Sequence, residues 1–401
     1  MRKIGFKTAG DNLLFALALA VLISGVFTSL VRRAGEAAIP SLVFTQWWQD
    51  DLRDGSLERL VAEFQSQHPE IRIILRQKSY EDLRRELFTP ADPELAGAAP
   101  ADIVALDPLW VSGLLAREVI ESAESPILSF INVLYYNIDI LREAGFIRPP
   151  RTRSEFLTFA RTLAAGGESA ALVLALGEDS FRGIHDTVYP WIWAAGAQLL
   201  PDGNPALTSP AIVQSLAFFA SLSQEGLIAP GAFAADSSQA LEAFISGRTA
   251  FMVASTRYIA LVRERMGEDA FNITTIPIPD NLAGTQFLAS LGWTVGVHSQ
   301  SAHKEQARLF AAFLAGRAPF LAENARGAVP AAPVVDPFYS RIWEIALTGE
   351  TAGDFSGIIK EPELEGIFRE ELPALFAGEL TPAQTAAAIQ GRWLDVLQEA
   401  Y

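Results

Sequence analysis

Leu57, Leu60, Val61 and Phe64 recur at the spacing of one helix face and predict a first helix that His68-Pro69 ends. Short apolar runs at 41–44, 71–75 and 102–106 read as strands, with a second helix over 80–87 between the last two. Strands alternating with helices predict an α/β sheet with parallel pairing. Further strands are expected at 133–136, 172–176, 249–253, 273–276 and 294–297. Thr152 with Glu155 forms a capping box, and Phe156, Phe159, Ala160 and Leu163 make the stripe of a helix ending at Gly166-Gly167. Ser209-Pro210 opens a helix that Gly226 closes, and Leu241, Phe244 and Ile245 precede Gly247. Ala307, Phe310, Ala311 and Leu314 give another stripe. Thr381-Pro382 with Gln384 caps the last helix, on which Ile389, Trp393, Val396 and Leu397 share a face.

The N-terminus breaks this pattern. Arg2, Lys3 and Lys7 precede an uncharged run from Leu13 to Val31, which Arg32-Arg33 ends. As a helix, at about 1.5 Å per residue, the run spans about 28 Å, close to one hydrocarbon core. It is longer than a usual signal-peptide apolar region, and the arginines sit where a cleavage site needs small neutral residues. Residues 1–38 are therefore expected to be a membrane anchor or signal segment, with an uncleaved transmembrane helix preferred.

With 401 residues, half of them hydrophobic, the chain has length for one large or two ordinary domains. Its formal charge is −16, and the basic N-terminus leaves the body more acidic still. That argues against nucleic acid as a partner and fits a soluble body for neutral or cationic ligands. The absence of cysteine excludes disulfides, thiolate metal sites, cysteine nucleophiles and an N-terminal cysteine lipid anchor. There is no nucleophile elbow, Walker loop, HExxH or GxGxxG motif, so neither a catalytic centre nor a cofactor is expected. His68, His185, His298 and His303 lack metal-ligand spacing and read as surface or cap residues. Asp50-Asp51 and Glu370-Glu371 read as solvated faces.

The eight tryptophans are more informative. Trp47 and Trp48 follow the first strand, Trp110 follows Asp107 at the end of the third, Trp191 and Trp193 follow a loop, and Trp293 follows Gly292. Ligands of open α/β sheets bind beyond the carboxyl ends of the strands. An indole there offers an apolar face and one N–H donor, which suits a sugar ring; filling core or lobe-contact space is the competing reading. Trp343 and Trp393 lie on expected helices and are assigned to the core.

Several segments, in order, resemble a known family. Leu42-Val43-Phe44-Thr45-Gln46-Trp47-Trp48 with His68-Pro69-Glu70-Ile71 resembles the first strand–helix–strand of the extracellular solute-binding proteins of ABC transporters, in particular the carbohydrate-binding group related to maltose-binding protein. Ala101–Asp107 resembles that group's third strand, and Val133-Leu134-Tyr135-Tyr136-Asn137 with Ala144-Gly145 and Pro149-Pro150-Arg151-Thr152 its crossover. Pro190–Gly196, Glu242–Met252 and Leu291-Gly292-Trp293 are similar to later elements. Two departures stand out: the missing cysteine anchor, and a stretch from Leu114 to Pro126 shorter than usual in the family, which ordinarily supplies part of the cleft rim.

The resemblance implies a two-lobed periplasmic-binding-protein fold of type II. Lobe one would hold 39–131 plus 292–330, and lobe two 133–290 plus 334–401. Chain crossovers would lie near Phe130–Asn132, Leu288–Trp293 and Val329–Val334. The implied function is capture of a small solute, most simply a carbohydrate, in the interlobe cleft and its delivery to an ABC transporter permease, without catalysis, on the periplasmic or extracellular side of the inner membrane. Implied ligand contacts are Trp47, Trp48, Asp107, Trp110, Asn132, Trp191, Trp193, Arg257, Gly292 and Trp293. The tryptophans would stack, Asp107 or Arg257 would hydrogen-bond hydroxyls, and Gly292 would admit close backbone approach. A membrane-tethered sensor or accessory protein that kept the fold is the alternative. A glycosidase is a third option that no motif supports.

Overall fold

The computed structural model describes residues 39–89, 101–167, 170–180, 182–282, 287–288, 290–351, 355, 358 and 360–398. The expected N-terminal helix lies outside the described residues. Among those described, no helix is long and apolar enough to cross a membrane.

In chain order the first part runs β1 (Ser41–Gln46), α1 (Trp48–Asp51), α2 (Ser56–Gln67), β2 (Arg72–Gln77), α3 (Tyr80–Phe88), β3 (Ile103–Leu106), α4 (Pro108–Ala116), β4 (Ile120–Ala123) and β5 (Leu128–Asn137). The second continues with α5 (Ile138–Glu143), α6 (Arg153–Gly166), β6 (Ala170–Val173), α7 (Gly183–Thr187), α8 (Tyr189–Trp193), α9 (Pro210–Gln224), α10 (Ser237–Ile245), β7 (Thr249–Ser255), a 3-10 turn (Thr256–Tyr258), α11 (Ile259–Met266) and β8 (Phe271–Thr274). The chain then returns through β9 (Phe287–Leu288), β10 (Ser290–His298), α12 (Lys304–Ala315) and α13 (Ala318–Asn324) before α14 (Pro337–Thr348), β11 (Glu350–Thr351), α15 (Glu361–Phe376) and α16 (Pro382–Gln398).

The fold is the expected mixed α/β architecture in two lobes, with one correction to the pairing. β1 pairs in parallel with β2 and β3, and β6 with β7, but the centre of the sheet is antiparallel. The order is β2-β1-β3-β10-β5-β7-β6, with β4 also on β10 and β8 on β5. β5 faces β10 over Leu128–Ile131 and β7 from Asn132 onward. β10 faces β5 over Ser290–Trp293 and β3 over Thr294–Val297. These two long strands thus each change partner once, which ties the half-sheets together.

Both faces of β5 are covered, which explains its near-continuous apolar sequence. Leu134 joins one core cluster, while Val133 and Tyr135 point to the other with Phe244, Phe271 and Ile342. In the first lobe Phe310 of α12 packs between Phe44 and Phe64, at 5.7 and 4.9 Å between ring centroids. The capping reading holds fully at Thr381 and by half at Thr152. The Thr152 hydroxyl accepts from the Glu155 N–H, although the Glu155 carboxylate reaches the N–H of Arg151 rather than that of Thr152. Thr381 and Gln384 cap each other reciprocally. Trp393 is fully buried and donates to Leu364 O at 2.9 Å, whereas Trp343 on α14 is only half-buried, because that helix turns one side to solvent.

Candidate functional site

Four of the residues singled out by sequence sit just beyond strand ends or at a change of strand partner. Trp47 and Trp48 follow β1, Asp107 follows β3, and Asn132 lies where β5 passes from β10 to β7. Arg257 follows β7 in the 3-10 turn.

Asp107 ends its strand because its carboxylate caps α4, accepting the Leu109 N–H at 2.9 Å. Trp110 is therefore a helical residue rather than a strand-end one. It meets Tyr80 at 4.7 Å and Trp47 at 5.5 Å between ring centroids, and Trp47 meets Tyr80 at 5.1 Å. Trp48 lies flat on Trp293 at 4.9 Å with 7° between their planes. All four tryptophans are at most 3% exposed.

The second lobe answers with charge. Arg182, immediately before α7, donates from Nη1 to Asp107 Oδ2 at 2.7 Å, and the Tyr80 hydroxyl donates to the same oxygen at 3.0 Å. Arg182 Nε also reaches Asp186 at 3.3 Å, and its Nη2 lies 2.8 Å from His185 Nδ1. Asn132 Nδ2 donates to Asp186 Oδ1 at 3.3 Å. Burial, reinforced by Arg182, pushes the His185 pKa down, and His185 Nδ1 lies between Arg182 Nη2 and Asp186 Oδ1, the latter at 3.2 Å. Burial raises the Asp186 pKa, but Arg182, His185 and Asn132 together outweigh it, leaving the carboxyl at about 2. A second bridge between the lobes joins Arg257 to Asp51 at 3.6 Å.

Behind this network Glu361 and Glu365 of α15 are 6% and 3% exposed. Burial raises the pKa of each, and their mutual repulsion adds to it for Glu361. Glu365 accepts the Ile184 N–H at 3.1 Å, which fixes α15 against α7.

Two expectations need correcting. His185 is 1% exposed, not a surface or cap residue, because α7 turns it into the space between Tyr189 and Trp193. Asp51 is 8% exposed while Asp50 is exposed, because the single turn of α1 points only one of the two carboxylates inward.

Trp191 is enclosed by Phe156, Phe218 and Phe219 within the second-lobe core, away from these groups. Trp193 touches the network through His185, at 5.2 Å. Gly292 packs against protein: a Cβ there would lie 3.0 Å from Leu128 O and 3.3 Å from Pro108.

Several buried polar atoms in this region have no hydrogen-bond partner in the protein: Trp48 Nε1, Asp51 Oδ2, Asn132 Oδ1, His185 Nε2 and Arg257 Nε. Such atoms are costly unless something satisfies them, and here they come from both lobes. A small cavity lies beside the network, lined by Asp186, Thr187 and Tyr258 together with the apolar Val173, Leu241 and Met252. Sequence reasoning missed Asp51, Tyr80, Arg182, His185 and Asp186. The neighbouring Trp47-Trp48 pair was a signal for Asp51; nothing local marks the others.

The sequence profile described as bacterial extracellular solute-binding protein matches residues 50–319. A curated relative in Brucella abortus (strain 2308), named as a binding protein, is 25% identical over 187 residues, covering 45% of this chain and 44% of that protein. A Deinococcus radiodurans protein named "Probable ABC transporter-binding protein" is 23% identical over 256 residues, 55% of this chain and 60% of its own. The chain thus spans about half the length of the curated relatives it matches. Among solved structures, maltose-bound T. maritima MalE3 superposes with a TM-score of 0.70 at 17% identity, covering 89% of this chain and 99% of that one. The GacH receptor of Streptomyces glaucescens, solved unliganded and with acarbose, gives 0.69 at 15%, covering 90% and 98%. UgpB from Mycobacterium tuberculosis, in complex with glycerophosphocholine, gives 0.71 at 18%, covering 90% and 99%.

Proposed function

Because the chain belongs to the bacterial extracellular solute-binding proteins, we propose that it captures a small hydroxyl-rich solute, of the carbohydrate class, between its lobes and delivers it to the permease of an ABC importer. The family is one of binding proteins and places the body outside the cytoplasm.

The observation that carries this reading is the set of unpartnered buried atoms contributed by both lobes. Trp48 Nε1 and Arg257 Nε donate and Asn132 Oδ1 accepts, while Asp51 Oδ2, ion-paired with Arg257 at 3.6 Å, has no hydrogen bond and can still accept. A hydroxyl group donates and accepts at once, so a polyol satisfies the whole set where a purely anionic or apolar solute leaves part of it unpaired. Trp47, Trp48 and Trp293 supply apolar faces for the C–H side of a ring. MalE3 and the GacH receptor, named with maltose and acarbose, support that ligand class. Asp107, already held by Leu109, Tyr80 and Arg182, takes a supporting role.

In this reading β5 and β10 act as hinge strands where they change partner, lobe one being 39–131 plus 292–330 and lobe two 133–290 plus 334–401. The solute selects the closed arrangement by touching both lobes. Titration calorimetry against a panel of mono- and oligosaccharides, polyols and glycerophosphodiesters tests the ligand class. Saturable binding of a carbohydrate, with no product formed on long incubation, is expected. Binding confined to the phosphodiesters, or turnover of the bound solute, overturns the reading.

The segment 1–38 would tether the protein by an uncleaved helix. N-terminal sequencing of protein from the membrane fraction should begin at or near Met1; a start at Ala38 excludes the tether.

A further inference from the structure

We infer that Arg182 is a resident cation that fixes the charge class of the solute: its guanidinium fills the place between the buried Asp107 and the half-buried Asp186 that a cationic group would otherwise take, leaving the cleft to neutral solutes. This rests on the cleft reading above and adds what that cleft rejects.

The geometry is that of a bound ligand. The Arg182 side chain is 11% exposed and joins the lobes, with Asp107 on one side at 2.7 Å and Asp186 on the other at 3.3 Å. A third contact goes to His185 Nδ1 at 2.8 Å. The guanidinium is thus held along its fork by groups from both lobes, the planar recognition for which arginine is suited. Besides Arg182, Asp107 is held by Tyr80 and the Leu109 N–H, and Asp186 by Asn132 and by His185 Nδ1 at 3.2 Å. Facing them from α15 are Glu361 and Glu365, with Arg369 3.3 Å from Glu365.

Take Arg182 away, and the buried Asp107 and the half-buried Asp186 lose the cation they share. Burial of an unpaired charge is strongly unfavourable, so the site would draw in any small cation that fits. Trp47, Tyr80 and Trp110 beside Asp107 would add ring faces that favour a cation. While Arg182 is present, a cationic solute meets a positive charge already seated on the acids, whereas a neutral polyol uses the unpartnered atoms of Trp48, Asn132 and Arg257.

The test uses Arg182→Ala, which empties the guanidinium's place, with methylguanidinium as probe. Its thermal stability should rise saturably with millimolar methylguanidinium, with affinity at least about tenfold above any shown by the wild type or by Arg182→Lys. A merely structural arginine predicts a destabilised variant that no cation rescues, and that result overturns the inference. If R182A does not fold in buffer, it is refolded with and without the probe: recovery only with the cation supports the inference, and equal yields overturn it. On the wild type, glucosamine should bind at least about tenfold more weakly than glucose or whichever neutral sugar the panel identifies; an aminosugar binding as tightly as its neutral parent sinks the idea. The methylguanidinium arm needs no natural ligand. A rescue with no sugar bound would therefore reject the proposed solute class while keeping the role of Arg182.

Discussion

Trp48 and Trp393 are both fully buried, yet their indole nitrogens differ. Trp393 donates to Leu364 O at 2.9 Å, while the Trp48 nitrogen has no partner in the protein. Trp48→Phe keeps a ring on Trp293 and removes the donor. If that donor serves the solute, affinity should fall roughly 2- to 13-fold, the equivalent of about 0.5–1.5 kcal/mol for one hydrogen bond, with little change in melting temperature. Trp393→Ala should instead cost about 3–5 kcal/mol of stability and leave affinity unchanged in the fraction that folds. Calorimetry and melting curves on both variants separate the roles; normal binding by Trp48→Phe would remove Trp48 from the site. The same contrast shows what a residue's type discloses. The tryptophans were legible as contributors to a core or a cleft, but which nitrogen is left unpaired depends on neighbours distant in the chain. Asp51 and His185 lie beside ordinary polar residues, and only the path of α1 and α7 buries them.

At the scale of elements, α15 and α7 form a joint with consequences for pH. Glu361 and Glu365 lie one turn apart on α15, facing Arg182, Asp107 and Asp186, with Arg369 on their own helix. Burial first, and then Glu365, lifts Glu361 from its ordinary 4.5 to about 8. A carboxyl whose pKa is raised by folding binds its proton more tightly in the native state, so its contribution is complete below about pH 4.5 and is lost as pH rises towards 8. Glu361→Gln should therefore flatten the decline in melting temperature between pH 5 and 8 and exceed the wild type at the upper end. Parallel slopes for the two proteins would count against the buried pair. The start of α7 is equally constrained. A Cβ on Gly183 would come 2.0 Å from Ala175 O, which is backbone and cannot swing aside. Gly183→Ala should destabilise by at least about 1–3 kcal/mol and disturb the Arg182–Asp186 contacts with it. Chemical denaturation measures this, and wild-type stability would refute the close approach.

At the scale of the whole molecule, two ion pairs among the described residues link the lobes: Arg182 with Asp107 and Arg257 with Asp51. Burial raises the Asp51 pKa against the pull of Arg257, so the second pair opposes a real desolvation cost. A double-mutant cycle with Asp51→Asn and Arg257→Gln should give a coupling of about 0.5–3 kcal/mol in denaturant unfolding, whereas strictly additive effects would mean the pair does not act across the lobes. Such pairs mark the boundary of what a sequence discloses. Helices and strands were readable because hydrophobic periodicity and capping residues act within a few positions of each other. Thr152 with Glu155, the stripe through Phe64 and the strand through Val133–Tyr136 all carry their own instructions. The order of those elements, with motifs such as Leu291-Gly292-Trp293, was enough to identify the family. The antiparallel centre of the sheet was not readable, because β5 and β10 are largely apolar and their sequences do not choose between parallel and antiparallel partners. Nor was the contact of Arg182 with Asp107, 75 positions apart, since a charge has no preferred partner until the backbone brings one within reach. Local periodicity thus determined the elements and their order, while tertiary structure alone decided which polar atoms meet and which are left without a partner in the protein.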